Sequence, residues 1–261
     1  MPLLVMWLYC LRQVMAQVVR LENPGFITAD TLLHVDQEAS PDLTFGVEVF
    51  DDTLTLNFGS FIVFQGQPSH GLCLRLCVRA LLPQPLGPDC DVVFVDGGNN
   101  FDPYAVSDYS VQLGLDPDQV LDRIHICRAF THHQLACALT DKLPYALKEF
   151  KASLVVISDI TCLFCDPDVR DDDKEDALQI FNKTTRTLRA LARQHHCLIL
   201  TTNLEQRNHQ MQSKLVHAAH VLVDMEQHVG LTRFVVLKHP HLPTHTTIAS
   251  TPGVRILENY L

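Results

Sequence analysis

Basic side chains are scarce in this sequence: 20 Lys and Arg stand against 30 Asp and Glu in 261 residues, a net charge of −10. That balance disfavours non-specific attraction to nucleic acid or acidic membranes, while leaving room for a local basic groove. Charged residues make up 19% of the chain, a little below the usual share, and apolar residues an ordinary 47%. A membrane-length hydrophobic run is also missing, because Arg12 interrupts the apolar opening MPLLVMWLYCLRQVMAQVV. That opening has no basic leader and no small-residue cleavage site, which argues against a signal peptide. The nine cysteines are odd in number and scattered, mostly inside apolar runs. They read as reduced, buried thiols of a cytoplasmic (or nuclear or nucleoid-associated) protein rather than a secreted disulfide scaffold. Neither an internal repeat nor a low-complexity linker occurs, so one core domain is the economical reading.

Within the opening, Leu4, Leu8, Leu11, Met15 and Val18 keep helical spacing. Three readings stay open for it: a core- or partner-facing helix, a membrane-surface helix, or a non-native extension before a start at Met15. A Pro-Gly turn at Pro24-Gly25 and a linker follow. The expected division is a helical extension over 1–24, a linker over 25–44 and a core domain over 45–261.

From Phe61 onward, apolar strands alternate with helices. Strands are predicted over Phe61–Phe64, Asp91–Asp96, Asp122–Arg128, Ser153–Ile157 and Cys197–Thr202. Helices are predicted from Gly71, through Gln112, over Thr131–Glu149, about Asp173–Gln194 and near Ser213–Ala219, and two or three strands close the chain. Continuous apolar strands separated by helices imply an α/β fold, a mostly parallel twisted sheet with helices on both faces. Ligands of such sheets sit at the carboxyl ends of the strands.

Gly59–Leu76, GSFIVFQGQPSHGLCLRL, holds the most suggestive pattern. A strand, a loop bounded by Gly66 and Gly71, and a helix start have the architecture of a phosphate-binding loop. Its working form is G-x-x-x-x-G-K-[ST], in which the Lys reaches phosphate and the hydroxyl holds Mg²⁺. Here Leu72 and Cys73 occupy those two positions. Leucine neutralises no phosphate charge, and a thiol is a poor ligand for a hard cation. The frame is present without its chemistry.

Several segments, in order from about Gly25 to Ser250, resemble the RecA-fold strand-exchange recombinases of the archaeal and eukaryotic (RadA-like) type. Gly25–Asp30, GFITAD, resembles their polymerisation motif, with Phe26 and Ala29 as the residues that would plug into a neighbour. Phe45–Leu54 is similar to their T-G-x-x-x-L-D-x-L-L segment, Asp51 matching the Asp, and VDGGNNFDPY to their I-D-T-E-G-T-F-R-P segment. Gly114–Gln134, Thr201–Gln206 and Lys238–Pro243 resemble later family segments.

The resemblance implies a RecA-like P-loop NTPase fold, and the departures shape the function expected from it. Leu72 and Cys73 replace the Lys and Thr, Gly98 stands at the catalytic Glu position, and Ser158 takes the place of an acid that Asp159 follows one residue late. The nucleotide site of Gly66, Gly71, Leu72, Cys73 and Asp159 is therefore degenerate, with no catalytic residue assigned and ATP with Mg²⁺ in doubt. The leading expectation is a non-catalytic or weakly nucleotide-binding paralogue that assists recombination or repair. It would bind a RecA/RadA-type recombinase or itself through Phe26 and Ala29. One alternative is an ATP-dependent DNA-binding paralogue with an unconventional site; another is a regulatory RecA-fold signalling protein without a DNA role. Single-stranded DNA contact would fall to Arg207 and Lys214, weakened by the acidic run Asp166–Asp176. No metal site is assigned: Cys162 and Cys165 lack two further ligands, and His239, His241 and His245 read as exposed loop residues.

Overall fold

The computed structural model of the chain describes residues 43–165, 171–205, 208–228 and 231–250. Phe26, Ala29, Arg207, the helix expected over 1–24 and Asp166–Arg170 lie outside them.

The described chain opens with Leu43, which is buried and bridges Leu56. A short helix α1 (Glu48–Asp51) lies between them, and the Asp51 carboxylate accepts from the Phe45 and Gly46 amides at 2.6 and 3.1 Å. Phe45 and Phe50 are fully buried against Phe234, Phe50 stacked on its ring at 4.6 Å.

Strand β1 (Phe61–Gln65) leads into helix α2 (Pro68–Ala80), and β2 (Val92–Asp96) into α3 (Pro103–Gln112) and α4 (Pro117–Asp122). Strand β3 (Ile124–Arg128) precedes α5 (His132–Cys137), a π-helical turn (Ala138–Lys142) and α6 (Leu143–Glu149). Strand β4 (Leu154–Ser158) precedes α7 (Asp171–Gln194), β5 (Leu198–Asn203) precedes α8 (His209–Ala218), and β6 (Val221–His228), β7 (Leu231–Lys238) and β8 (His245–Ser250) follow.

One eight-stranded sheet has the order β3-β2-β4-β5-β1-β6-β7-β8. Its pairs are parallel from β3 to β6, whereas β7 runs antiparallel to both β6 and β8. Strands β1, β2, β4 and β5 are buried along their whole length because both faces are covered. The pleat sorts the side chains: Ile62, Phe64, Phe94, Val156 and Leu200 join Leu72 and Leu76 of α2, while Val63, Val95, Ile157 and Ile199 join Phe181 of α7 and Leu215 of α8. The α/β fold expected from the sequence is the fold observed.

Several boundaries differ from expectation. The helix expected from Gly71 starts at Pro68, with Gln67 as its N-cap, because proline suits the first helical turn. Thr131–Glu149 is helical throughout but broken by the π turn just ahead of Pro144, whose ring excludes a normal i to i−4 bond. Helix α4, capped by the Asp116 side chain and opened by Pro117, was not expected. Among the described residues no helix is long and apolar enough to cross a membrane.

Candidate functional site

At the carboxyl end of β1 the chain turns sharply. Gly66 has φ +88°, and a Cβ there would fall 2.0 Å from the Met225 carbonyl oxygen of β6. Its amide donates to Asn203 O at 3.1 Å, and its carbonyl accepts from Ser69 N at 3.2 Å and Ser69 Oγ at 2.6 Å. Further along, Pro68 has no N–H, and His70 N points to Gln67 O at 3.4 Å. A phosphate cradle needs those amides free. Gly66 and Gly71 therefore do not bound one loop, since Gly71 lies inside α2. Leu72 and Cys73 are buried at 6% and 1% exposure and face the core. Burial pushes the Cys73 thiol up to about 12.

A connected polar network fills the neighbouring strand ends. Asp96, fully buried, accepts from Asn100 N at 3.1 Å, Phe101 N at 3.2 Å, Arg128 Nε at 3.2 Å and Ser158 Oγ at 3.2 Å. Ser158 Oγ also bonds the Asn100 side-chain oxygen. Asp96 and Ser158 are register partners on adjacent strands, so the parallel pairing of β2 and β4 sets the contact. Both carboxylate oxygens of Asp96 thus have partners. Gly98 offers no ready space for a longer side chain, because a Cβ would lie 2.8 Å from Asn100 Nδ2 and 3.0 Å from Asp159 Cβ.

Asp159 follows β4 with φ +42° and is buried. Its amide donates to Thr202 Oγ1 at 2.8 Å, and its Oδ1 accepts from Leu204 N at 3.4 Å. These bonds tie it to the end of β5. Beside it, Asn203 accepts from Thr161 Oγ1 at 2.6 Å and donates to Gln212 of α8 at 2.5 Å. His70 reaches over the same strand ends from α2. Burial lowers its pKa, opposed by a hydrogen bond to the Asn100 backbone and by the Asp96, Asp102 and Asp159 carboxylates.

The structure therefore brings Gly66 and Asp159 to the carboxyl edge of the sheet and sends Leu72 and Cys73 into the core. Lys214 is exposed on α8. Reading the sequence puts His70 and Asn100 at strand ends without a role, and misses Arg128 and Gln212. His70 lay inside the glycine frame and Asn100 ended the Gly97–Asn100 turn, but Arg128 and Gln212 meet the site only through strand order and helix docking. Among the described residues no group of three His, Cys, Asp or Glu could hold a metal ion. None of the eight cysteines there forms a disulfide. His239 has a local role, its Nδ1 accepting from His241 N and Leu242 N at 3.1 and 2.9 Å.

A groove of about 500 Å³ lies elsewhere, beside β3, lined by Cys127, Arg128, Phe130, His133, Cys137 and Lys142 among others. Arg128 alone belongs both to its wall and to the Asp96 network.

A family model described as Rad51 matches residues 41–242. The chain is 32% identical over 162 residues to the meiotic recombination protein DMC1/LIM15 homolog of Homo sapiens, covering 56% of this chain and 44% of that protein. It is 27% identical over 220 residues to the DNA repair and recombination protein RadA of Aeropyrum pernix, covering 79% of this chain and 67% of that protein. The match thus spans less than half the length of the human relative.

Proposed function

The chain belongs to the Rad51 family, and on that premise we propose that it serves homologous recombination or DNA repair as a partner of a RecA-type recombinase, without turning over ATP. One observation carries the second half of this reading. In the turn after β1 the Gly66 amide is bonded to Asn203 O, those of Ser69 and His70 are bonded within the turn, and Pro68 has none, which leaves few donors for a phosphate. The absence of a lysine at buried Leu72 and the closed coordination of Asp96 support it. Phosphoryl transfer depends on positioned cations, phosphate donors and a group that orients the nucleophile. The lysine and the glutamate of those roles are replaced here by Leu72 and Gly98.

The recombination half of the reading is supported by the relatives, a meiotic recombination protein and a DNA repair and recombination protein. Phe26 and Ala29 are the proposed plug toward a RecA-type recombinase or a second copy, since an aromatic anchor in a pocket is the usual form of an interface hot spot. With a net charge of −10, any single-stranded DNA contact through Arg207 and Lys214 would be weak and salt-sensitive.

The test is co-purification of the full chain with the RecA-type recombinase of its own source, beside a Phe26→Glu variant, followed by an ATPase assay with and without single-stranded DNA. Complex formation lost in the variant, with no hydrolysis by the chain alone, is the expected result. Mg²⁺-dependent hydrolysis stimulated by DNA would instead establish an unconventional ATPase. Unchanged assembly of Phe26→Glu would remove the plug, and no recombinase partner at all would favour a signalling role.

A further inference from the structure

The described cysteines are of different kinds. Cys73, Cys77, Cys90 and Cys197 are buried. Burial pushes the thiols of Cys73 and Cys197 up to about 12, Cys90 to about 11, and Cys77 well above its ordinary value. A protonated, enclosed thiol is inert, because the thiolate is the nucleophile. Cys127 and Cys137 differ: the first is half-buried, the second exposed, and both line the groove beside β3.

That groove combines features suited to one class of ligand. Cys137 closes α5, and His133 stands one turn earlier on the same helix face, with its ring in the same groove. Arg128 and Lys142 add two cations to the lining, and Phe130 an apolar wall. Arg128 Nε is held by the Asp96 carboxylate, which pairs part of its charge and leaves Lys142 as the more available cation of the lining. Among the described residues no acidic side chain lines the groove. Its volume, about 500 Å³, suits a ligand the size of a short peptide.

We propose that this groove is a thiol-conjugation site, at which Cys137 forms a mixed disulfide with a small anionic disulfide of the oxidised-glutathione type. Arg128 and Lys142 hold the ligand's carboxylates, and Cys127 supplies a second thiol beside the new bond. In the exchange, the Cys137 thiolate attacks one sulfur of the small disulfide. A protein–ligand S–S bond forms as the ligand's own S–S bond breaks. The departing thiolate takes up a proton equivalent to the one released by Cys137, for which His133 is the base lining the groove. The cysteine sulfur is oxidised, the leaving sulfur is reduced, and no further oxidant is required.

The test exposes the full chain, near neutral pH, to oxidised glutathione or to cystamine, a small cationic disulfide, and maps the adducts by peptide mass spectrometry. The expected result is a dominant adduct at Cys137, with the anionic reagent reacting about tenfold faster, the scale on which local charge concentrates a ligand. Lys142→Glu should reverse that preference, and Cys137→Ser should remove the groove adduct. Equal rates with both reagents would overturn the proposal, as would no effect of Lys142→Glu. So would adducts spread evenly over Cys137, Cys162 and Cys165. Lys142 is exposed, so its variant keeps the test decisive if Cys137→Ser misfolds.

Discussion

Ser158 Oγ lies 3.2 Å from Asp96 Oδ1, across the paired ends of β4 and β2. With Asn100 N, Phe101 N and Arg128 Nε, it completes a shell of donors around a carboxylate that has no exposure. With both oxygens engaged, Asp96 serves as a structural anchor at the carboxyl end of β2. It ties the Gly97–Asn100 turn, the edge strand β3 and the centre of the sheet to one point.

Asp96→Ala should accordingly act on stability. Removing the carboxylate leaves two backbone amides without their acceptor, while the half-exposed Arg128 can turn to solvent, a loss of about 2–3 kcal/mol. Ser158→Ala removes one neutral donor and should cost only about 1 kcal/mol. Urea denaturation of the two variants beside the parent measures the difference. Equal losses would show that Asp96 is not the anchor.

Restoring the family residues at the turn should not restore nucleotide binding. A Leu72→Lys plus Cys73→Thr variant places an ammonium where the side chain is 6% exposed, inside the α2 face of the core. Desolvation of an unpaired ammonium costs about 3 kcal/mol or more, and the amides ahead of it remain bonded within the turn. Calorimetric titration with ATP and Mg²⁺ should give no heat for parent or variant, and the variant should unfold at lower denaturant. Micromolar binding by the variant would mean that α2 can unwind back to Gly71.

The strands were legible because they are uninterrupted apolar runs such as Val92–Val95, whose burial on both faces leaves no other reading. The start of α2 was less so. Two glycines at the spacing of a phosphate loop drew attention to Gly71, while the Pro68 at N1 was the local signal that the helix begins earlier. Asp116-Pro117 carried the same signal for α4. The residues of the Asp96 network could be placed at strand ends, but not their contacts, which depend on β2 lying between β3 and β4, a matter of strand order. The antiparallel β7 and β8 were likewise invisible in direction, though not in existence.

Gly66 is the residue on which the turn depends. Its φ of +88° is already unfavourable for an L side chain, and the added Cβ would meet the Met225 carbonyl at 2.0 Å. Gly66→Ala should therefore destabilise the chain by about 2–3 kcal/mol at least. Thermal unfolding followed by circular dichroism would show this as a lowered Tm, whereas an unchanged Tm would mean that β6 yields freely.

The last prediction concerns pH. His220 Nδ1 accepts a hydrogen bond from Phe61 N at 2.9 Å, so the neutral ring carries its proton on Nε2, a sheltered atom without a partner among the described residues. Burial, then the charges of Arg189, Arg193 and Lys238, depress its pKa to about 4 from an ordinary 6.5. The unfolded chain therefore takes up the proton first. Stability from this group is complete above pH 6.5 and is lost as pH falls from there toward about 4. Because the ring as a whole is only partly shielded, solvent screening reduces the loss to about 1–2 kcal/mol. Urea midpoints across that window should fall with acidification in the parent and fall less in His220→Gln, whose side chain does not titrate. Parallel slopes for the two proteins would place the acid sensitivity elsewhere.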